Sequence, residues 1–238
     1  MTSLNLSLIL AACIICSTSF ICNASPASVP DSVIAECQRG LKEKGDAIVS
    51  CITKEFTEAE MNETRRMYNH TECIKCKHFC RKEQALLDCI RNGTATLKDV
   101  SNKSKQMVPF LGQLIERIIT SICENEDVFL NVTKEEDKEC YRDSWKECKV
   151  DLDYIDELES VAFCDYEITE NDPNTLQCTC QKITESIECI EKSVKSCSNA
   201  VQNFVHVLTS NSRIEELCAD SDKEEKHQMI AITINYGQ

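Results

Sequence analysis

The sequence predicts an all-α fold, built as a disulfide-stapled helical bundle. Glycine occurs 5 times and proline 4 times in 238 residues, so few positions would interrupt a helix. Long segments repeat their apolar residues every three or four positions, which is typical of helices with one buried face. Alternation typical of strands is confined to the tail, at Ile230, Ile232 and Ile234. The chain has 18 cysteines, and the 15 that follow residue 24 would supply the staples.

Two segments carry the clearest helical pattern. In FLGQLIERIITSIC, residues 110–123, the leucines and isoleucines from Leu111 to Ile122 form one broad stripe. A second stripe runs from Ile183 to Leu208 and predicts a single helix of about seven turns, which TSNS at 209–212 would close. Weaker patterns predict helices over 31–44, 80–91, 136–148 and 151–162.

The N-terminus predicts secretion. Residues Leu6 to Cys16 form a short apolar core, hydroxyl residues follow, and Ala24 suits signal-peptidase cleavage. A membrane anchor is disfavoured, because crossing a bilayer takes about 20 mostly apolar residues. We therefore expect a signal peptide (1–24), a single cysteine-rich helical domain (25–218) and an acidic, flexible C-terminal tail (219–238).

The net charge of −14 restricts the expected partners. Nucleic acid and anionic membranes are disfavoured, because their phosphates require a concentrated basic face. The acidic run at 151–159 predicts a solvated helix face. Calcium is disfavoured there, because Ile155 and Asp156 stand where a calcium loop needs an oxygen ligand and a glycine. We predict no cofactor and no metal.

Two segments exactly 100 residues apart resemble each other. CRKEQALLDCI (80–90) and CQKITESIECI (180–190) share two cysteines, a lysine and an aliphatic-acidic-Cys-Ile ending. The surrounding cysteines also follow with comparable gaps, in the orders Cys37, Cys51, Cys80, Cys89, Cys123 and Cys148, Cys164, Cys180, Cys189, Cys218. Both an internal duplication into two helical halves and a coincidence between two amphipathic helices remain open.

The stretch CIKCKHFC, residues 73–80, allows three kinds of chemistry. Cys73, Cys76 and Cys80 with His70 or His78 would make a Cys3His zinc set, although no second C-x-x-C accompanies them. A redox dithiol at Cys73 and Cys76 would sit at a helix start. Structural disulfides are favoured over both, because a secreted chain this rich in cysteine is normally bridged.

Five N-x-S/T sequons after residue 24 predict N-glycosylation of a secreted product. Their asparagines are Asn62, Asn69, Asn92, Asn102 and Asn131.

Catalytic chemistry has no sequence motif to support it. Serine-hydrolase, zinc-protease, dinucleotide and P-loop patterns are absent from the sequence. We expect a non-enzymatic protein and keep as the alternative a secreted hydrolase that would use His206 or His78 with neighbouring carboxylates.

With its cysteine order and helical pattern, the chain resembles the insect 27 kDa haemolymph glycoprotein family. The matching features are Cys80-x8-Cys89 ending in LLDCI, the amphipathic run through 113–148, and Cys180-x8-Cys189-x7-Cys197. The likeness extends from Cys37 to Cys218. It implies an abundant secreted glycoprotein of arthropod body fluid, with no catalytic residues to carry over.

The resemblance also implies which cysteines form disulfides, although it does not give the partner of each. Twelve fit the family's pattern and are the disulfide candidates: Cys37, Cys51, Cys80, Cys89, Cys123, Cys140, Cys148, Cys164, Cys180, Cys189, Cys197 and Cys218. Cys73, Cys76 and Cys178 are additions to the family's cysteine pattern. Fifteen cysteines follow residue 24, so at least one lacks an intramolecular partner. We hypothesise that Cys178 bridges to Cys73 or Cys76, and that the other is an exposed thiol available for a disulfide-linked homodimer.

The expected function is therefore a circulating glycoprotein. It would carry a small apolar ligand between its stapled helices, or act in defence or development.

Overall fold

The computed structural model describes residues 31–71, 73–132, 134–148, 163–165 and 176–219. The predicted signal peptide, the predicted helix at 151–162 and almost all of the tail lie outside these residues. Within the described ranges the secondary structure is helical and contains no strand, which confirms the all-α prediction. None of the helices in these ranges combines the length and apolarity needed to cross a membrane.

The helices fall into two halves joined by a short helix. The first half, residues 31–124, contains α1 (Asp31–Glu55), α2 (Glu58–Met67), α3 (Ile74–Arg81), α4 (Glu83–Leu97) and α5 (Asn102–Glu124). Helix α6 (Glu126–Leu130) follows. The second half, residues 135–219, contains α7 (Glu135–Glu147), α8 (Leu176–Ser193), a 3-10 turn (Val194–Ser196), α9 (Asn199–Ser212) and a helical segment at 214–219.

Hydroxyl side chains mark where three helices begin. Thr57 Oγ1 accepts a hydrogen bond from the backbone N–H of Glu60, and α2 starts one residue after the threonine. Ser101 caps α5 and Ser198 caps α9 in the same way, at 2.9 Å and 3.4 Å. Such caps satisfy backbone donors that have no partner within the helix.

The predicted single helix from Ile183 to Leu208 is wrong, because the chain breaks between α8 and α9. Val194–Ser196 tightens into a 3-10 turn and Cys197 is extended (φ −82°, ψ 176°). Cys197 is bridged to Cys140, and Ser198 caps a new helix. The apolar periodicity continues across the break because both helices face the same core. The predicted helix at 31–44 is also too short, since α1 continues to Glu55.

Helix α5 lies at the centre of the larger core. It packs against α4 on one side and α9 on the other, while α1 packs on α4. Leu114 of α5 is completely buried, and the core around it runs from Ile52 in the first half to Leu217 in the second. The smaller core belongs to the second half and is formed by Tyr141, Ile190, Val194, Cys197, Val201 and Val205.

Seven disulfides link the described cysteines. The bridges are Cys37–Cys164, Cys51–Cys89, Cys73–Cys76, Cys80–Cys123, Cys140–Cys197, Cys148–Cys189 and Cys180–Cys218. All twelve candidate cysteines are therefore joined, in six bridges. The bundle is stapled, as the sequence predicts.

The hypothesis that Cys73 or Cys76 is an exposed free thiol is contradicted. The two cysteines bond to each other across a separation of three residues and are 9% and 7% exposed. The helix start at residue 74 brings the two sulfurs together. The seven bridges use fourteen of the fifteen cysteines that follow residue 24, so the hypothesised bridge from Cys178 to Cys73 or Cys76 is contradicted as well.

The bridge Cys37–Cys164 ties the segment 163–165 onto the first half. The Asp165 carboxylate accepts hydrogen bonds from the backbone N–H groups of Asn102 (2.9 Å) and Lys103 (2.8 Å). The carbonyl of Phe163 accepts one from Ser104 Oγ at 2.8 Å. A carboxylate at a helix N-terminus is favourable, so this segment both caps and staples the start of α5.

Candidate functional site

A small apolar cavity lies where α5, α7, α8 and α9 meet. Its volume is about 40 Å³, and its walls are almost entirely aliphatic and aromatic. The lining residues are Ile118, Tyr141, Trp145, Ile187, Ile190, Val205, Leu208, Thr209, Ser212 and Ile214. Because empty cavities with apolar walls stay dry, this space suits an apolar guest.

Aromatic rings close the α7 side of this cavity. Tyr141 lies edge-on to Trp145 and to Phe204, with ring centroids 5.7 Å and 5.5 Å apart. Phe204 in turn meets Phe129 of α6 at 5.6 Å. Trp145 is the only tryptophan of the chain. Its Nε1 is buried and has no hydrogen-bond partner among the described residues.

Two bridges hold the wall of the cavity. Cys140–Cys197 joins α7 to the residue that follows the 3-10 turn, and Cys148–Cys189 joins the end of α7 to α8. Ser144 of α7 is also buried, and its hydroxyl donates to the carbonyl of Cys140 at 2.9 Å. The two bridges therefore flank the part of α7 that carries Tyr141 and Trp145 to the cavity wall.

More open grooves flank α9. One, of about 590 Å³, is lined by Val128, Leu130, Asn131, Lys134, Asn199, Ala200 and Asn203. It includes the sequon residue Asn131, so an attached glycan would occupy it. Another, of about 450 Å³, contains Glu191 and His206 among its lining residues. Both grooves have mixed polar and apolar walls, unlike the small apolar cavity beside Trp145.

His206 lies on the exposed face of α9 and is not assembled into a nucleophilic site. Ser210 Oγ lies 3.4 Å from His206 Nδ1, but its hydroxyl also lies 2.6 Å from the His206 carbonyl, one turn back on the same helix. The Glu191 carboxylate accepts a hydrogen bond from the Thr209 hydroxyl, and not from the imidazole of His206. A Ser-His-acid relay needs the acid to orient the histidine, and this arrangement lacks that contact.

His78 is completely buried and holds three helices together. Its Nε2 donates to the carbonyl of Glu55 at the end of α1 (2.7 Å), and its Nδ1 pairs with Thr64 Oγ1 of α2 (2.7 Å). Phe56 packs edge-on against the ring at 4.9 Å. Burial lowers the pKa of His78, and the nearby cations Arg81 and Lys82 act in the same direction. The ring is therefore a neutral structural link.

A network of ion pairs surrounds this histidine. Arg81 contacts Glu60 at 2.8 Å and Glu63 at 3.0 Å, and Lys82 contacts Glu60 at 2.7 Å and Glu55 at 3.0 Å. The hydrogen bond from Lys82 lowers the pKa of Glu60, and the same bond raises the pKa of Lys82. The network fixes α2 and α3 against the end of α1.

The alternative of a Cys3His zinc set at CIKCKHFC is contradicted. Cys73 and Cys76 are oxidised together, Cys80 is bonded to Cys123, and His78 is engaged by Glu55 and Thr64. Among the residues that the structure describes, no group of three His, Cys, Asp or Glu side chains could hold a metal ion.

The favoured alternative for this stretch, disulfide bonding, is what the structure contains, since Cys73 is bonded to Cys76 and Cys80 to Cys123. Cys73 is the N-cap of α3, and its Sγ accepts a hydrogen bond from the backbone N–H of Cys76 at 3.3 Å. The first turn of α3 contains no acidic residue.

All five sequon asparagines are exposed. Asn62 lies on α2, Asn69 precedes the Cys73–Cys76 bridge, Asn92 lies on α4, Asn102 begins α5 and Asn131 follows α6. Each could carry a glycan without displacing the core.

No family model, curated protein or solved structure matches the chain. The site must therefore be interpreted from its own geometry.

The cavity residues on α7 were not predicted from the sequence. The aliphatic walls follow the predicted stripes, but Tyr141 and Trp145 lie in a segment whose helical pattern is weak. The signal that could have identified them is their spacing of four residues between Cys140 and Cys148, which places both rings on one face of a stapled helix.

Proposed function

We propose that this chain is a secreted glycoprotein, of the kind implied by the haemolymph-family likeness, that binds a small apolar molecule. The observation that carries the proposal is the apolar cavity beside Trp145. Seven disulfides support an oxidising compartment, and the exposure of all five sequon asparagines supports glycosylation.

The cavity favours a ligand with an apolar body and one hydrogen-bond acceptor. Its walls offer aliphatic contacts from α5, α8 and α9. The partnerless Nε1 of Trp145 adds one donor, and leaving a buried donor unsatisfied costs about 1–3 kcal/mol. An alcohol, ketone or ester oxygen placed there would recover part of that cost.

The size of the cavity limits how the ligand enters. Pockets for drug-sized ligands usually enclose about 300–1,000 Å³, whereas this cavity encloses about 40 Å³. It therefore admits only a few heavy atoms as it stands. A longer ligand enters by displacing Trp145, which is only partly buried, while the two bridges keep the backbone of α7 in place.

Fluorescence of the single tryptophan tests this proposal. We expect a saturable change when the protein is titrated with straight-chain alcohols of four to twelve carbons, because the ligand contacts or displaces the indole. Alcohols should bind about threefold to tenfold more tightly than alkanes of equal length, as one neutral hydrogen bond contributes about 0.5–1.5 kcal/mol.

Two variants separate the cavity from non-specific association. Trp145→Phe keeps an aromatic wall but removes the N–H, so calorimetry should show alcohols and alkanes binding equally. Val205→Phe fills the cavity and should abolish binding, whereas Ala200→Phe, in the open groove across α9, should not. Absence of any saturable signal in the wild-type protein would reject the proposal.

Native mass spectrometry of protein purified from its own source identifies the ligand. A retained small molecule would add a discrete mass to the deglycosylated protein. The same spectrum tests secretion, since we expect a chain that starts near Ser25 and loses mass on N-glycan removal. A mass equal to the full 238-residue chain without sugar would contradict both expectations.

A further inference from the structure

The Cys73–Cys76 bridge differs from the other six in what it joins. Those six connect separate structural segments across sequence separations of 38 to 127 residues, whereas Cys73 and Cys76 are separated by three. It links the cap of α3 to the first turn of the same helix. The bridge therefore does not determine how any two helices pack.

The reduced form of this pair would have a stabilised thiolate at Cys73. The Cys76 N–H already donates to Cys73 Sγ, and the N-terminus of a helix favours negative charge. No acidic side chain in the first turn opposes that charge, although the chain as a whole carries a net charge of −14. Stabilising the reduced form makes a disulfide more oxidising.

Helix α3 is held independently of this bridge. Cys80, near its other end, is bonded to Cys123 of α5. His78 is buried between Glu55 and Thr64, and Arg81 is paired with Glu60. Opening the Cys73–Cys76 bridge would therefore leave the helix in place, so that both redox states share one scaffold.

The segment leading to the bridge offers an apolar contact for a partner. Met67 and Tyr68 are 50% and 38% exposed, and among the described residues only Val49 is a comparably exposed large hydrophobic side chain. Tyr68 also lies beside Lys77 of α3, whose Nζ is 5.6 Å from the ring centroid. A peptide carrying cysteine thiols could rest on this surface, which ends five residues before Cys73 in the sequence.

We propose that Cys73–Cys76 is a redox-active disulfide that oxidises thiols of a peptide or small-molecule partner, distinct from the six structural bridges. Cys73 is the more exposed of the two cysteines, at 9% against 7%. A partner thiolate attacks its Sγ, the Cys73–Cys76 bond breaks, and its electron pair leaves on Cys76, which takes up a proton. The second partner thiolate then attacks the partner sulfur of the mixed disulfide. Cys73 leaves as the stabilised thiolate. The partner loses two electrons and forms a disulfide, and the protein gains them as a dithiol.

Glutathione buffers of graded composition test the proposal on the full-length protein. After equilibration, acid quenching and alkylation, peptide mapping reports the state of each bridge. We expect Cys73–Cys76 to be half reduced at a value of [GSH]²/[GSSG] at least tenfold lower than any other bridge, with the helical dichroism unchanged. Reduction of Cys73–Cys76 together with, or after, any of the other six bridges would overturn the proposal.

A charge substitution with a matched control tests the role of the helix start. Lys75→Glu places a negative charge in the first turn of α3 and should raise that half-reduction value at least threefold. Lys105→Glu makes the same charge change near the start of α5 and should leave it unaltered. Equal effects of the two substitutions would contradict the stabilised thiolate.

Removal of the bridge tests whether it is structural. The Cys73→Ala/Cys76→Ala variant should keep the helical dichroism and the other six bridges, and should lose the ability to oxidise dithiothreitol under conditions that leave those bridges intact. Misfolding of this variant would identify the bridge as a structural staple and reject the proposal.

Discussion

The two halves of the molecule repeat the same pair of bridges. Cys51–Cys89 joins α1 to α4 in the first half, and Cys148–Cys189 joins α7 to α8 in the second. Cys80–Cys123 then joins α3 to α5, and Cys180–Cys218 joins α8 to the segment 214–219. The separations are also similar, at 38 and 43 residues against 41 and 38. The repeat suggested by the sequence thus has a structural counterpart.

The bridges also correct the register of that repeat. The simple order of cysteines equates Cys37 with Cys148 and Cys51 with Cys164. The pairing instead makes Cys51 equivalent to Cys148, while Cys37 and Cys164 bond across the two halves. One pair of the cysteines that look repeated therefore serves to join the halves.

The two halves differ in how their N-capping turns are held. Cys197, just before the cap Ser198, is bonded to Cys140 of α7. Val100, just before the cap Ser101, packs near Gly40 of α1, where a Cβ at the glycine would lie 3.5 Å from Val100 Cγ1. A bridge therefore holds the capping turn of the second half directly, whereas in the first half the bridged segment 163–165 holds the start of α5 from outside the turn.

Full reduction should have the largest effect. Bridges that close loops of about 40–60 residues each contribute about 4 kcal/mol by restricting the unfolded chain, against a typical net stability of about 5–15 kcal/mol. We expect reduction at 37 °C to melt the helices, and partial reduction to expose the second half first in hydrogen exchange. Unchanged far-ultraviolet dichroism after complete reduction would contradict this.

Removal of the Cys140–Cys197 bridge, which has no counterpart in the first half, should have the next largest effect on stability. Cys140→Ala/Cys197→Ala is expected to lower the free energy of unfolding by about 4 kcal/mol, with faster amide exchange in α7 and α9. The Cys73→Ala/Cys76→Ala variant is the control, since its four-residue loop contributes about 2 kcal/mol at most. Equal losses in denaturant titrations would show that loop length does not govern these bridges.

The contact between α1 and α4 is close enough that one added methyl group should change the stability of the protein. A Cβ at Gly93 of α4 would lie 2.1 Å from Ile48 Cγ1 of α1, so Gly93→Ala should destabilise the protein by about 1–3 kcal/mol through overpacking. Gly45, on α1, has no atom within 4 Å of such a Cβ. Gly45→Ala should therefore stabilise the protein by about 0.5–1 kcal/mol, and thermal unfolding would compare the two.

The buried histidine of the first half should make stability depend on pH. Burial lowers the pKa of His78 in the folded protein, so the unfolded chain binds more protons once the pH falls below about 6.5. The stability that neutral His78 contributes is therefore present above pH about 6.5, and it is lost as the pH falls toward the lower pKa of the folded state. His78→Gln should remove this component of the pH profile, whereas His70→Gln, at an exposed site, should keep it.

The positions of the helices were largely predictable, and their ends and connections were not. The stripe at 110–123 lies within α5 because core burial requires that spacing. The break at Cys197 was missed because a stripe continues when two successive helices share a core. Pairing of Cys73 with Cys76 was only one of the alternatives, because counting cysteines does not show which of them bond to each other. Packing of Trp145 against Tyr141 depends on bridges whose connectivity the sequence alone leaves open.

Peptide mapping of the unreduced, alkylated protein tests the repeated bridge pattern most directly. We predict peptides linked through Cys51–Cys89 and Cys80–Cys123 in the first half, and through Cys148–Cys189 and Cys180–Cys218 in the second. The only link between the halves should be Cys37–Cys164, and the alkyl label should appear at Cys178. A different pairing of these ten cysteines, or a label at Cys73 or Cys76, would contradict the account.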